Sequence, residues 1–219
     1  MSVAGVLLAA GAGRRMGGPK ALVELDGESL VRRGVRLLCE AGCDPVLVVV
    51  GAAAREVAPL CDGAHVVVAT QWATGMGASL RAGLEALVDS AATSAVIVLV
   101  DQPLVTSEAV HRLVAASAGG ALAAVATYDG RQRNPVLLDR SVWSDVAEAA
   151  VGDAGARHWL RSHPALVVEV DCTGVGSPDD VDTPEDLARL DPARLDSARL
   201  DPARLVQHPL RTPLPQQGT

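Results

Sequence analysis

Apolar residues fall in short, nearly unbroken runs at 3–9, 45–50, 65–69, 95–100, 121–127 and 165–170. Runs of this kind, which do not alternate with polar residues, suit strands covered on both faces, as in a parallel sheet packed between helices. Between them the apolar positions move to helical spacing. This predicts helices at about 29–41, 52–59, 76–89, 106–116, 141–149, 154–162 and 183–190, and NPVLL at 134–138 reads as a further short strand. The repeated change from strand to helix is the mark of βαβ units. The expected fold is a single Rossmann-like α/β domain of three layers with a mainly parallel sheet. Ligands in such folds bind outside the carboxyl ends of the strands, so the loops after Ala9, Val50, Ala69, Val100 and Val170 are the ones to inspect.

The pattern breaks at residue 188, where ARLDP, ARLDS, ARLDP and ARLVQ follow one another. A five-residue period cannot keep its leucines on one helix face, and Pro192 and Pro202 interrupt any continuous helix. Residues 1–190 therefore read as the folded domain and 191–219 as a low-complexity extension, expected to be disordered.

Composition narrows the partners. The 219 residues are 49% hydrophobic, enough for a substantial core, yet they include no Phe, one Tyr and three Trp. Few rings are available to stack on nucleic-acid bases, and the net charge of −7 opposes a polynucleotide partner. Nucleic acid is excluded on these grounds. The chain has no long apolar span and no signal-peptide pattern, which predicts a cytoplasmic protein without membrane association. Cys39, Cys43, Cys61 and Cys172 stand at scattered spacings that fit neither a zinc site nor a disulfide framework.

Against this acidic background, GAGRRMGGPK at 11–20 is a local concentration of glycine and positive charge. Two familiar phosphate loops fail to match it. The dinucleotide fingerprint needs GxGxxG and a ribose-binding carboxylate near the second strand end, whereas Gly11, Gly13 and Gly17 are spaced one residue too long and the second strand ends PVLVVVG. A P-loop needs GK followed by Ser or Thr, whereas Pro19 separates Gly18 from Lys20 and Ala21 lacks a hydroxyl. What remains is a long glycine loop whose amides can wrap a triphosphate, followed by a lysine set at a fixed angle by proline.

The string LAAGAGRRMGGPKAL at 8–22 resembles the LAAGxGxRMGxxK signature of nucleotidyltransferases, and within them the molybdenum cofactor nucleotidyltransferases. QWATGMGASLRAGL at 71–84, VDQPLV at 100–105, GDAGAR at 152–157 and DDVDTPEDL at 179–187 resemble further segments of that family in the expected order. The resemblance implies the nucleotide-diphospho-sugar transferase type of fold. It also implies a magnesium-dependent enzyme that joins a nucleoside triphosphate to a molybdopterin-like phosphate acceptor and releases pyrophosphate, with a molybdoenzyme or its chaperone as a further partner.

Roles follow residue by residue. Leu8, Ala9, Ala10, Gly11, Ala12 and Gly13 would cradle the nucleotide, while Arg14, Arg15 and Lys20 would bind and stabilise its phosphates. Gly75, Met76, Gly77 and Ser79 would line the base and ribose pocket. Asp101, at a strand tip, would be the first magnesium ligand and is a catalytic candidate, and the resemblance implies Asp182 as the second ligand. Thr183, followed by Pro184 and two acidic residues, reads as a helix cap beside it. Cytidine-using members resemble LAAG and guanosine-using members LAGG, so Ala10 favours CTP. Where close relatives carry Gly-His-Pro-Val, this chain has Arg133-Asn134-Pro135-Val136, and Asn134 with Asp153 are the candidates for contact with the acceptor. GTP, a sugar or polyol phosphate acceptor, and a non-catalytic carrier of the cofactor or a nucleotide are the alternatives.

Overall fold

A computed structural model describes residues 2–190. In chain order these form β1 (Val3–Ala9), β2 (Glu24–Leu25), β3 (Glu28–Ser29), α1 (Leu30–Glu40), β4 (Val46–Val50), α2 (Ala54–Val57), β5 (His65–Val68) and α3 (Met76–Ala86). They continue with β6 (Ser94–Leu99), α4 (Ser107–Ala118), β7 (Ala123–Tyr128), β8 (Arg131–Asp139), α5 (Trp143–Ala149), α6 (Arg157–Ser162), β9 (Val167–Asp171) and α7 (Pro184–Leu190). Every residue of β1 is buried, because it lies inside a seven-stranded sheet of order β5-β4-β1-β6-β8-β7-β9. Its alternate side chains enter two separate cores. Leu7 packs with α1 and α4 through Val31, Leu38, Val110 and Leu113, while Val6 and Leu8 pack with α3, α5 and α6 through Leu80, Leu84, Val146 and Trp159. Two buried faces explain why the strand carries no polar alternation.

The expected mainly parallel, three-layer sheet is present. Its one reversed strand is β8, which pairs antiparallel with both β6 and β7. β8 is longer than the 134–138 run suggested, because its first three residues are exposed and polar. The turn that reverses it is Asp129-Gly130, both at positive φ (50° and 72°), the geometry of a two-residue hairpin. Asp26-Gly27 (φ 55° and 77°) makes the same turn between β2 and β3, a small ribbon that the apolar pattern did not disclose. The reading of 191–219 lies outside the described residues.

Reversal of β8 brings its amino end beside the carboxyl end of β6, as the register Ile97↔Val136 and Ser94↔Asp139 requires. The carboxyl edge of the sheet therefore presents, from one side to the other, the turns after β5, β4, β1 and β6 and then the start of β8. That edge carries the site.

Candidate active site

At the end of β1 the chain enters the glycine loop and returns through a 3-10 turn at Lys20–Leu22. The loop closes on itself: the Met16 and Gly18 amides donate to the Gly13 carbonyl at 2.9 and 3.2 Å. Only glycine permits this closure at position 13. Its φ is +58°, and a Cβ there would stand 1.9 Å from the Gly18 carbonyl oxygen. The fold-back carries Lys20 over the carboxyl end of β6, where Asp101 follows the strand.

Lys20 Nζ donates to Asp101 Oδ2 at 2.7 Å and also to Asp182 Oδ1. The outer oxygen of Asp182 is held by Arg15 at 2.9 Å. The side chains of Lys20, Asp101 and Asp182 are 15%, 23% and 27% exposed, so the cluster is only partly screened by water. Burial by itself would lower the Lys20 pKa. The hydrogen bonds to Asp101 and Asp182 outweigh it and hold the ammonium above its ordinary value.

Asp182 is placed by two devices. The Val181 amide donates to the Asp101 carbonyl at 2.8 Å, which ties the segment to β6. Beyond it, the Asp186 carboxylate accepts from the amides of Asp182 and Thr183 at 3.1 and 2.8 Å, while the Asp186 amide donates to the Thr183 hydroxyl at 3.2 Å. This reciprocal capping box starts α7 and fixes the backbone of Asp182, as the Thr183-Pro184 pattern predicted. Gln102, buried next to Asp101, donates to Asp180 Oδ1 and to the Pro178 carbonyl, each at 3.0 Å. Burial, and then the charge of Asp101, pushes the Asp180 carboxyl upward.

The cluster lies at the foot of a cleft of about 450 Å³. Leu8, Ala10, Gly11, Ala12, Gly13, Arg14, Arg15, Lys20, Gly75, Met76, Ser79, Asp101 and Asp153 all line it. Ala9 lies beneath, 4% exposed, and Gly77 is turned to the 150–153 loop, where a Cβ would be 2.4 Å from the Ala150 carbonyl oxygen. Asp182 joins through its ion pairs. Asn134 stands apart from the cleft wall, at the irregular start of β8 where the β7 register slips. Asp153 caps α3, accepting from the Met76 amide at 3.3 Å. Trp72, Ala73, Leu99 and Val100 complete the lining and were not anticipated. Trp72 and Ala73 lie in the 71–84 segment and Val100 opens VDQPLV, whereas Leu99 had no signal of its own.

Among the described residues no group of three or more His, Cys, Asp or Glu side chains is placed to hold a metal. A pair of carboxylates is what a magnesium ion shared with phosphate oxygens and water requires. Here Asp101 and Asp182 already converge on a single cationic atom, Lys20 Nζ, so the donor set fits such an ion.

Residues 5–167 match the MobA-like NTP transferase domain. The chain belongs to the MobA-like NTP transferase family. It is 38% identical over 200 residues to nicotine blue oxidoreductase of Paenarthrobacter nicotinovorans, a match covering 86% of this chain and 96% of that protein. It is 32% identical over 194 residues to molybdenum cofactor guanylyltransferase of Rhodobacter capsulatus, covering 86% of this chain and 95% of the relative. Among solved structures, the manganese complex of Rv0371C from Mycobacterium tuberculosis H37Rv shares 30% identity and superposes with a TM-score of 0.73, covering 87% of this chain and 98% of that one. As a MobA-like chain, the protein is a nucleotidyltransferase by family. Among the described residues no helix is long and apolar enough to cross a membrane.

Proposed function

We propose that this protein is a magnesium-dependent cytidylyltransferase that joins CMP from CTP to the terminal phosphate of a molybdopterin and releases pyrophosphate. The observation that carries this reading is the convergence of Asp101 and Asp182 on Lys20 directly under the glycine loop. Nucleotidyl transfer asks little covalent chemistry of the protein. It needs the triphosphate held in line with the attacking oxygen and the growing negative charge neutralised. Ala10 to Gly13 line the cleft and would offer their amides to the phosphates, and Arg14, exposed and without an ion-pair partner among the described residues, would supply a planar fork of donors. Lys20 and Arg15 are further cations within reach of the same anion. Magnesium, when bound by Asp101 and Asp182, would neutralise charge on the attacked and departing phosphates. The methyl group of Ala10 on the pocket wall narrows it and favours a pyrimidine over a purine. The acceptor would enter from the β8 flank, past Asn134, with Asp153 reaching it from the start of α3, and a molybdoenzyme or its chaperone would receive the product.

The similarity to nicotine blue oxidoreductase supports a second reading, in which the same cleft serves reduction of a dye-like heterocycle. The glycine loop departs from the dinucleotide fingerprint in spacing and the β4 end offers no ribose carboxylate, which favours transfer. The test is pyrophosphate release from CTP and from GTP with molybdopterin and magnesium, run beside consumption of NADH and NADPH with a quinoid dye. Release from CTP that Asp101→Asn abolishes supports the proposal. Release from GTP alone moves the base choice to the sibling enzyme. Dye-dependent oxidation of a reduced nicotinamide without pyrophosphate release overturns transfer, and ligand binding that survives Asp101→Asn with no turnover leaves a carrier.

A further inference from the structure

The chain has four aromatic rings, and three of them are core: Tyr128, Trp143 and Trp159 are 6%, 5% and 2% exposed. The fourth, Trp72, is half-buried and borders the cleft together with Ala10, Gly75 and Ser79. A protein this poor in aromatic residues has placed its one partly exposed Trp in the charged cleft.

The root of that ring is fixed from two sides. A Cβ on Gly51 would lie 2.6 Å from Trp72 Cγ and 2.7 Å from the Ala10 carbonyl oxygen. The bare glycine after β4 lets the indole close against the entrance of the glycine loop. Among the described residues neither the Trp72 indole N–H nor the Ser79 hydroxyl has a hydrogen-bond partner. The indole nitrogen is not one of the sealed, unpaired groups of the core, such as that of Trp159, and Ser79 is only 4% exposed. Both polar atoms are thus free for a ligand.

The order of strands gives the ring its partner. Along the carboxyl edge, Trp72 follows β5, Gly51 follows β4, the glycine loop follows β1, Asp101 follows β6, and Asn134 lies in the first half of β8. Phosphates over the β1 loop and an acceptor on the β8 flank leave the β4–β5 end for the nucleobase. We infer that Trp72 is the stacking platform of the nucleobase, an affinity determinant for the nucleoside triphosphate at this site. The inference rests on the nucleotidyltransferase reading of the cleft. Stacking tolerates any base, so Trp72 contributes affinity while Ala10 and Ser79 discriminate.

Calorimetric titration of wild type, Trp72→Ala and Trp72→Phe with CTP and, separately, with inorganic tripolyphosphate tests this, magnesium being present throughout. Base-on-aromatic stacking is worth about 1–3 kcal/mol, so Trp72→Ala should weaken CTP roughly fivefold to a hundredfold. Tripolyphosphate affinity should be unchanged, Phe should restore most of the loss, and CTP should quench tryptophan fluorescence in wild type only. Unchanged CTP affinity in Trp72→Ala, with tripolyphosphate still bound, overturns the platform and leaves the transferase reading intact. Equal weakening of both ligands also overturns it, because the indole would then be supporting the loop. Binding of neither ligand by the wild type sinks the transferase reading and the platform with it. Quenching by an oxidised pterin and not by CTP would assign the ring to the acceptor and refute the inference.

Discussion

Replacing Lys20 by Met keeps the unbranched stem, one atom shorter, and removes its charge, leaving Asp101 and Asp182 facing each other without a cation between them. Breaking a fully buried ion pair costs about 3–5 kcal/mol, and an exposed pair is worth about 0–1 kcal/mol. With side chains 15%, 23% and 27% exposed, and Arg15 still 2.9 Å from Asp182, the loss here should be about 2 kcal/mol. For a domain of this size that corresponds to a fall in Tm of roughly 4–8 °C. The same variant should bind a divalent ion better than wild type when no nucleotide is present, because no ammonium has to be displaced from the carboxylates. At an ion concentration of about 100 times Kd the linkage returns ~2.7 kcal/mol, which is enough to restore the variant. Calorimetric melting with and without manganese reads both effects, and pyrophosphate release should be abolished in parallel. An unchanged or higher Tm for Lys20→Met, or equal stabilisation of both proteins by manganese, would refute the argument that lysine and metal compete for one pair of carboxylates.

Gly77→Ala should detach the 150–153 loop from α3, since its Cβ would stand 2.4 Å from the Ala150 carbonyl, and should cost about 1–3 kcal/mol in urea unfolding. A loss below about 0.5 kcal/mol would show that the loop yields freely. Iodoacetamide at pH 8 should label exposed Cys39 in the native protein and the other three thiols only after unfolding, since Cys61 and Cys172 are buried and burial pushes the Cys43 thiol up to about 11. Rapid native labelling of more than one thiol would contradict the packing. Glu28 is held below its ordinary value of 4.5, chiefly by its hydrogen bond to Arg36. Its contribution is present above that value and lost as pH falls through the lowered folded value, so Glu28→Gln should cost under about 1 kcal/mol at pH 7 and nothing once both forms are protonated. A difference that grows towards acid pH would have the wrong sign.

What the sequence disclosed and what it withheld divide along physical lines. β1, β4 and β6 are apolar because both their faces are covered, and that is a local property of a seven-residue window. The positions of the glycine loop and Asp101 followed from the same windows, since each directly follows a strand. The capping box at Thr183 was equally local, whereas Asp182 beside it was singled out by the resemblance of DDVDTPEDL to a family segment. The reversed β8 was hidden because its identity lies in a two-residue turn: Asp129-Gly130 and Asp26-Gly27 are hairpin signals that apolar periodicity does not carry. That Trp72, Leu99 and Val100 line the cleft was less legible, for a different reason. They become neighbours of the loop only through the order of strands in the sheet, and no spacing along the chain encodes that order.

The same separation explains how the site is held together. Lys20 is 81 residues from Asp101 and 162 from Asp182, yet one nitrogen atom joins all three. Two carboxylates brought this close and partly withdrawn from water repel each other, and the fold needs a cation between them before any substrate arrives. The glycine loop supplies that cation from its own far end, because its closure at Gly13 fixes where Lys20 falls. If a divalent ion takes over the carboxylates, the ammonium is released beside the loop amides, where a triphosphate provides the negative charge it has lost. Neither exchange is favourable alone: the ion without the nucleotide strands Lys20, and the nucleotide without the ion competes with Asp101 and Asp182 for it. On the proposed reading, metal and nucleotide are therefore coupled ligands, each raising the affinity for the other by the same factor, and Lys20 is the group through which the coupling passes.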